Sequence, residues 1–177
     1  MNTSTVNYQI NNTTISSLET VLHKKGYKCI VLNNEAEVID FINKLPNDGI
    51  MGLGDSITTC ALKIRNLLIK KGSLIFYSWN GAEDYNRTIE TFEEHPDPDF
   101  YLTRINAITT KGEIMVKDYS RKAATEKKFP KHILAFAGYN RIVDKFNEGN
   151  SVIKYTIFTE KPENTDFTVV LLPFICY

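Results

Sequence analysis

Residues 46–68 read PNDGIMGLGDSITTCALKIRNLL, and this stretch decides the fold. It begins as a polar turn and continues into a short apolar run, residues 50–53, in a pattern typical of a buried β-strand. Gly52 and Gly54 allow a tight bend and leave no side chains in the way. The stretch therefore predicts a strand that passes directly into a helix, which is the repeating unit of an α/β fold.

The helix after this bend is predicted to begin at Asp55 or Ser56 and to end before Gly72. Either residue is a suitable N-cap, since a short oxygen-bearing side chain accepts hydrogen bonds from the first amides of a helix. Gly72 offers a C-terminal stop. Between these positions apolar residues recur at helical spacing: Cys60, Ala61, Ile64, Leu67 and Leu68.

The junction after Gly54 is a candidate anion site. A strand that ends in glycines before a helix N-terminus directs unsatisfied amides and the positive end of the helix dipole to one spot. Ser56 and Thr58 are candidate hydrogen-bond donors to a carboxylate or phosphate there, and Asp55 is the first candidate base if a proton is transferred. Helix capping is the alternative role of these side chains. The stretch matches neither the dinucleotide fingerprint nor the P-loop.

The rest of the chain alternates between helical and strand patterns. Asn34 with Glu37 three residues later predicts a capping-box start for one helix. Runs that are almost purely apolar, above all residues 132–137, predict central strands of a mainly parallel sheet. The further predicted elements are a helix ended by Gly26, strands over 27–31, 73–78, 100–102, 152–158 and 167–172, helices over 82–94, 120–128 and 142–146, and a hairpin over 106–116.

Length, charge balance and cysteine content limit the kinds of function that the chain can have. The 177 residues suit one domain, which we place at residues 14–177 after a flexible lead-in, residues 1–13. Because 21 basic residues balance 21 acidic ones, the bulk charge favours neither a nucleic acid nor a membrane surface as partner. No apolar run approaches the length of a membrane span. Three scattered cysteines indicate a reducing cytoplasm and supply no metal site.

Three polar clusters follow three of the predicted strands. They comprise residues 52–58, 106–112 and 138–141. Ligands of parallel α/β sheets bind at the carboxyl ends of the strands, so the clusters are expected to converge on one cleft.

These clusters, in this order and spacing, resemble the lactate-utilisation (LUD) domain family, the group of LutC/YkgG proteins. Residues 51–58 look like its glycine-serine-threonine segment. Residues 99–112 reproduce its Asp-x-x-x-Thr-x-x-Asn-Ala-Ile-Thr-x-x-Gly segment. Arg121, Pro130-Lys131 and residues 138–141 match later motifs, with Arg141 where the family has lysine. The resemblance covers residues 18–177 and includes the last two predicted strands.

The resemblance implies a NagB/RpiA/CoA-transferase-like fold, an α/β architecture with a mainly parallel sheet and helices on both faces. Two departures stand out. Arg104 or Ile105 occupies a position where the family has glycine, which would place a bulky side chain beside the pocket. The cysteine-containing insert before the last two strands is absent, so any metal or iron-sulfur role of that insert is not available to this chain.

Several residues of the clusters are candidate ligand contacts. Asn106 is a hydrogen-bond donor and acceptor, or else holds an Asx turn. Arg121 and Arg141 are candidate anion clamps, because a guanidinium binds carboxylate or phosphate through two parallel hydrogen bonds; surface ion pairs are the alternative. Thr109 also reads as a hairpin residue. The complete candidate set is Gly52, Gly54, Ser56, Thr58, Asn106, Thr109, Arg121, Asn140 and Arg141.

Three functions stay open at this point. The first is binding of a small anionic metabolite, a hydroxy-acid, keto-acid or sugar phosphate, in a pathway linked to lactate utilisation. The second is an isomerase, transferase or ligase of the wider fold group. The third is a non-catalytic partner of an iron-sulfur oxidoreductase. The sequence favours binding, since it shows no acid/base pair and no nucleophile with its base. We expect no metal and no cofactor, and either a homodimer or an iron-sulfur protein partner.

Overall fold

The computed structural model describes residues 12–54, 63–77, 98–116, 130–146 and 155–174. Within these ranges the chain forms three α-helices, ten strands and one turn of 3-10 helix. In order they are α1 Asn12–Lys24, β1 Lys28–Val31, α2 Glu35–Asn43, β2 Ile50–Leu53, α3 Ile64–Lys71, β3 Leu74–Tyr77, β4 Phe100–Arg104, β5 Ala107–Thr109, β6 Ile114–Val116, β7 His132–Gly138, the 3-10 turn Tyr139–Arg141, β8 Ile142–Val143, β9 Thr156–Phe158 and β10 Asp166–Leu172.

Six of the strands form the main sheet, in the order β1-β10-β7-β4-β2-β3, and every pair in it is parallel. The most apolar strand, β7, lies inside this sheet between β10 and β4. A strand buried on both faces has no polar side to present to water, and this explains its nearly continuous apolar sequence. The predicted parallel α/β sheet is confirmed.

The other four strands form a small sheet in the order β8-β5-β6-β9. Strands β5 and β6 are the arms of the predicted hairpin, and Gly112 in its turn has a φ of +75°. Residues 142–146 were predicted to begin a helix, and this prediction is wrong. Ile142 and Val143 are instead strand β8, which pairs in parallel with β5.

Two apolar clusters fill the two faces of the main sheet. Helices α2 and α3 cover one face, where Val38 and Leu68 pack against side chains of β2, β4, β7 and β10. Helix α1 covers the other face together with the inner side of the small sheet, so that Leu18 and Ile108 share one cluster. The predicted layers are present, and the small sheet is an addition to the second one.

Local sequence explains where one helix begins and where two others end. The Asn34 side chain accepts a hydrogen bond from the Glu37 amide at 3.0 Å, and a Glu37 carboxylate oxygen accepts one from the Asn33 amide at 2.8 Å. The first bond caps α2, and the second is a variant of the capping box in which Glu37 binds the residue before the cap. Gly26 and Gly72, which follow α1 and α3, adopt positive φ values of +83° and +82°.

The helix predicted to run without interruption from residue 55 or 56 to Lys71 is wrong in its extent. Lys63 has a φ of +50°, in the left-handed region, and α3 begins only at Ile64. A residue in that conformation cannot continue a right-handed helix. The predicted caps Asp55 and Ser56 lie outside the described residues.

The amino edge of the main sheet is held by carboxylates. Asp99 accepts hydrogen bonds from the Ile50 amide and from the Lys131 ammonium, both at 3.1 Å, and thereby links the starts of three neighbouring strands. These two donors, the amide first, hold the pKa of Asp99 below its usual range. Asp166 accepts a hydrogen bond from Lys28 at 2.6 Å, and this contact lowers its pKa.

None of the described helices is long and apolar enough to cross a membrane.

Candidate functional site

Two of the predicted clusters lie at connections between the sheets. Strand β4 passes into β5, and strand β7 passes into β8 through the 3-10 turn. In the main sheet Arg104 pairs with Phe136, and in the small sheet Ile108 pairs with Ile142. Both connections therefore run side by side. The pairing of Ile108 with Ile142 therefore places the clusters at 106–112 and 138–141 next to each other.

The first cluster reaches the same edge at a lower level. The Gly54 amide donates a hydrogen bond to the Leu102 carbonyl at 2.9 Å, which places Gly54 beside Thr103 of the neighbouring strand. Asn106 follows Thr103 by three residues. Strand β4 ends at Arg104, so Asn106 lies beyond the last residue of this strand. The carboxyl edge is therefore stepped, with Gly54 on the lower step and Asn106 on the upper one.

The glycines of the lower step allow close backbone approach to β4. A Cβ on Gly52 would lie 3.0 Å from both Pro98 and the Tyr101 ring. A Cβ on Gly54 would lie 2.8 Å from the Tyr101 hydroxyl and 3.1 Å from Thr103 Oγ1. A side chain at either position would push these neighbours aside, so glycine allows β2 and β4 to approach each other closely here. On the lower step, the Tyr101 hydroxyl and Thr103 Oγ1 lie close to the backbone of Gly54, which has no side chain.

Thr103 has an unusual environment on this step. Its side chain is fully buried, and its hydroxyl has no hydrogen-bond partner in the part of the chain that the structure describes. Such a group in a protein interior is normally paired, because leaving it unpaired costs about 1–3 kcal/mol. Thr103 and Tyr101 were not among the predicted site residues. The available signal was Thr103 as the threonine of the Asp-x-x-x-Thr motif.

Arg141 lies on the upper step, at the end of the 3-10 turn, and is half-buried. Its Nε is inaccessible to solvent and has no acceptor among the described residues. A guanidinium N–H that is withdrawn from water without an acceptor is available to a ligand carboxylate or phosphate. Asn140, one residue earlier, is exposed.

Thr109 is engaged within the hairpin. Its hydroxyl accepts a hydrogen bond from the Glu113 amide at 3.0 Å and donates one to the Glu113 carboxylate at 3.1 Å. Its own amide donates to the Glu113 carbonyl at 2.9 Å. The Asn106 amide is likewise used by the sheet, since it donates to the Met115 carbonyl at 2.8 Å. These contacts shape the upper step rather than leave Thr109 available to a ligand.

The other predicted contacts, Ser56, Thr58 and Arg121, lie outside the described residues, as does the candidate base Asp55. Ile105, at one of the positions where the resemblance leads one to expect glycine, is fully buried in the core cluster of the second face. Its bulk therefore fills the core beneath the edge. Within the described ranges no three His, Cys, Asp or Glu side chains gather where they could hold a metal ion.

Comparison with models of known protein families identifies the family of this chain. A sequence model of the LUD domain matches residues 15–170, which is most of the chain. The chain belongs to the LUD domain family. The clusters at 52–58, 106–112 and 138–141 all fall inside the matched region of the LUD domain.

A solved structure supports the fold of this LUD domain. The crystal structure of a DUF162 family protein from Deinococcus radiodurans is similar over 91% of this chain and 97% of that one, with a TM-score of 0.61 and 15% sequence identity. At that identity the similarity concerns the fold alone. No curated protein sequence matches this chain.

Proposed function

We propose that this LUD-domain protein binds a small anionic metabolite, of hydroxy-acid, keto-acid or sugar-phosphate type, at the stepped carboxyl edge of its main sheet. Membership of the LUD domain family supports a role related to lactate utilisation at the level of the family. The ligand class and its place of binding are our proposal.

The observation that carries the proposal is the buried Nε of Arg141 on the upper step, which has no acceptor within the described part of the chain. An anion seated there would supply the missing acceptor, and a charge-assisted hydrogen bond of this kind contributes about 1.5–3 kcal/mol. Asn106, which precedes β5 as Arg141 precedes its neighbour β8, is the second proposed contact, because an amide side chain can both donate and accept. Ligands of parallel sheets bind at this edge as a rule.

The described residues favour binding over chemistry. Asp99 and Asp166 lie at the amino edge and are engaged by main-chain or lysine donors, and the Glu113 carboxylate in the hairpin accepts a hydrogen bond from Thr109. Among the described residues, the carboxyl edge also offers an amide, a guanidinium and hydroxyls, a set that can recognise an anion. We therefore propose recognition as the primary activity of the domain.

A ligand panel tests this proposal. L-lactate, pyruvate, ribose 5-phosphate, acetate and inorganic phosphate are titrated against the wild-type protein by thermal shift and calorimetry, because a ligand that binds only the folded state raises its stability. Arg141→Ala should weaken the binding of the tightest-binding ligand about 10- to 150-fold, which corresponds to the loss of about 1.5–3 kcal/mol of binding free energy.

Arg65→Ala is the matched control, since Arg65 is an exposed arginine on α3, which covers one face of the sheet. This variant should bind like the wild type. The proposal fails if no anion of the panel binds the wild type, or if Arg141→Ala and Arg65→Ala have the same effect.

A further inference from the structure

The lower step carries a hydroxyl that the anion site on the upper step does not use. Thr103 Oγ1 is fully buried and unpaired among the described residues, and it lies close to the bare backbone of Gly54 together with the Tyr101 hydroxyl. A buried threonine at a purely structural position normally bonds a nearby carbonyl. Thr103 combines this unpaired hydroxyl with a place at the carboxyl end of its strand, next to the Gly54 backbone.

Among the described residues, the groups known to lie beside the Thr103 hydroxyl are uncharged. Within the described ranges Thr103 has the Gly54 backbone and the Tyr101 hydroxyl beside it, with Leu102 and Arg104 before and after it on β4. Because side chains alternate across a strand, Arg104 points to the opposite face from Thr103. A neutral hydroxyl that lies among neutral groups matches an uncharged oxygen, which can be the hydroxyl or the carbonyl of a ligand.

We propose that Thr103 is a specificity-determining residue that hydrogen-bonds an uncharged oxygen of the ligand, so that the site distinguishes oxygen-substituted anions from their deoxy analogues. This inference rests on the proposed function and deepens it, since the upper step would hold the charged group while the lower step reads a hydroxyl or carbonyl.

Matched pairs of ligands test the inference. Ribose 5-phosphate is compared with 2-deoxyribose 5-phosphate, and L-lactate and pyruvate are compared with propionate, each by calorimetry against the wild type, Thr103→Val and Thr103→Ser. Thr103→Val keeps the shape of the side chain and removes the hydroxyl. It should weaken the oxygen-bearing member about 2- to 12-fold, as for the loss of one neutral hydrogen bond, and leave the deoxy member unchanged.

A second threonine supplies the control for the substitution itself. Thr165 is also buried with an unpaired hydroxyl among the described residues, but it precedes β10 at the amino edge of the sheet. Thr165→Val should bind every ligand like the wild type. Both Thr→Val variants should be at least as stable as the wild type in the absence of ligand, because each removes an unpaired buried hydroxyl.

The outcomes separate the inference from the proposed function. If ligands bind but Thr103→Val retains the wild-type preference for the oxygen-bearing member, the inference is wrong and the anion site stands. A marked loss of stability in Thr103→Val, or equal losses of affinity in Thr103→Ser and Thr103→Val, would assign Thr103 to packing and overturn the inference. If no member of any pair binds the wild type, the proposed function fails and the inference fails with it.

Discussion

Ile108 pairs with Ile142 in the small sheet. The two chain segments that pair as β4 and β7 in the main sheet therefore pair again beyond it, as β5 and β8. The register between the two segments shifts by two residues on the way, and the 3-10 turn Tyr139–Arg141 accommodates the difference. Backbone pairing on both sides of the connections thus fixes the place of Asn106 and Arg141. A site supported by paired strands is expected to be preformed, which lowers the cost of ordering it when a ligand binds.

The hairpin provides the first prediction. Thr109→Val removes the hydroxyl that accepts the Glu113 amide and donates to the Glu113 carboxylate. The half-buried amide is then left without its partner, so the free energy of unfolding should fall by about 1–3 kcal/mol, as measured by urea denaturation. Ligand affinity should stay unchanged. If Thr109→Val instead loses affinity and keeps its stability, Thr109 contacts the ligand, as the sequence first predicted.

The N-terminus of α2 provides the second prediction. Asn34→Ala removes the side-chain acceptor of the Glu37 amide and should lower the free energy of unfolding by about 1 kcal/mol. Asn47→Ala, at an exposed position before β2, is the control and should stay within about 0.5 kcal/mol of the wild type. Equal effects of the two substitutions would show that the cap does not stabilise the helix.

The amino edge provides a prediction about pH. Hydrogen bonds from the Ile50 amide and from Lys131 depress the pKa of Asp99 in the folded protein. A carboxyl with a depressed pKa contributes stability that is present above its unfolded pKa of about 3.9 and is lost as the pH falls through the folded value. Unfolding free energies measured between pH 7 and pH 2.5 should therefore fall steeply below about pH 4.

Two substitutions check the origin of this slope. Asp99→Asn should be less stable than the wild type at pH 7 and should lose less stability on acidification, so that the two curves approach each other at low pH. Lys131→Ala should have the smaller effect, because the Ile50 amide is the larger cause of the shift. If the unfolding free energies of Asp99→Asn and the wild type fall in parallel as the pH is lowered, Asp99 does not contribute to the loss of stability in acid.

The sequence predicts those parts of the fold in which local pattern and tertiary context agree. Apolar runs identify the strands of the main sheet, and the Asn34 cap identifies α2. Strand β8 was missed because two residues are too short for any periodicity, and only pairing with β5 makes Ile142 and Val143 a strand. The break at Lys63 was missed because a lysine with positive φ has no sequence signal.

The residues of the candidate site were likewise predicted only in part from the sequence. Asn106 and Arg141 were predicted because polar residues after apolar strands are visible in the sequence, and the paired connections bring them together. Thr103 was missed although it is the threonine of the Asp-x-x-x-Thr motif, because a threonine inside an apolar strand otherwise looks like an ordinary core residue. Its importance depends on a missing hydrogen-bond partner and on the approach of Gly54, and both are properties of the folded chain.

The last prediction concerns Arg121, which lies outside the described residues and is supported by the sequence alone. If Arg121 is an anion clamp, Arg121→Ala should weaken binding of the best anion from the panel about 10- to 150-fold, with a change in unfolding free energy below about 0.5 kcal/mol. Lys127→Ala and Lys128→Ala are the controls, and each should change affinity only slightly and in a salt-dependent way.

The double variant of Arg121 and Arg141 then decides whether both bind one anion. Two guanidinium groups on the same anion should show non-additive losses, whereas additive losses would mean that they act independently. An Arg121→Ala protein that binds like the wild type, or that unfolds, would leave Arg141 as the remaining candidate clamp.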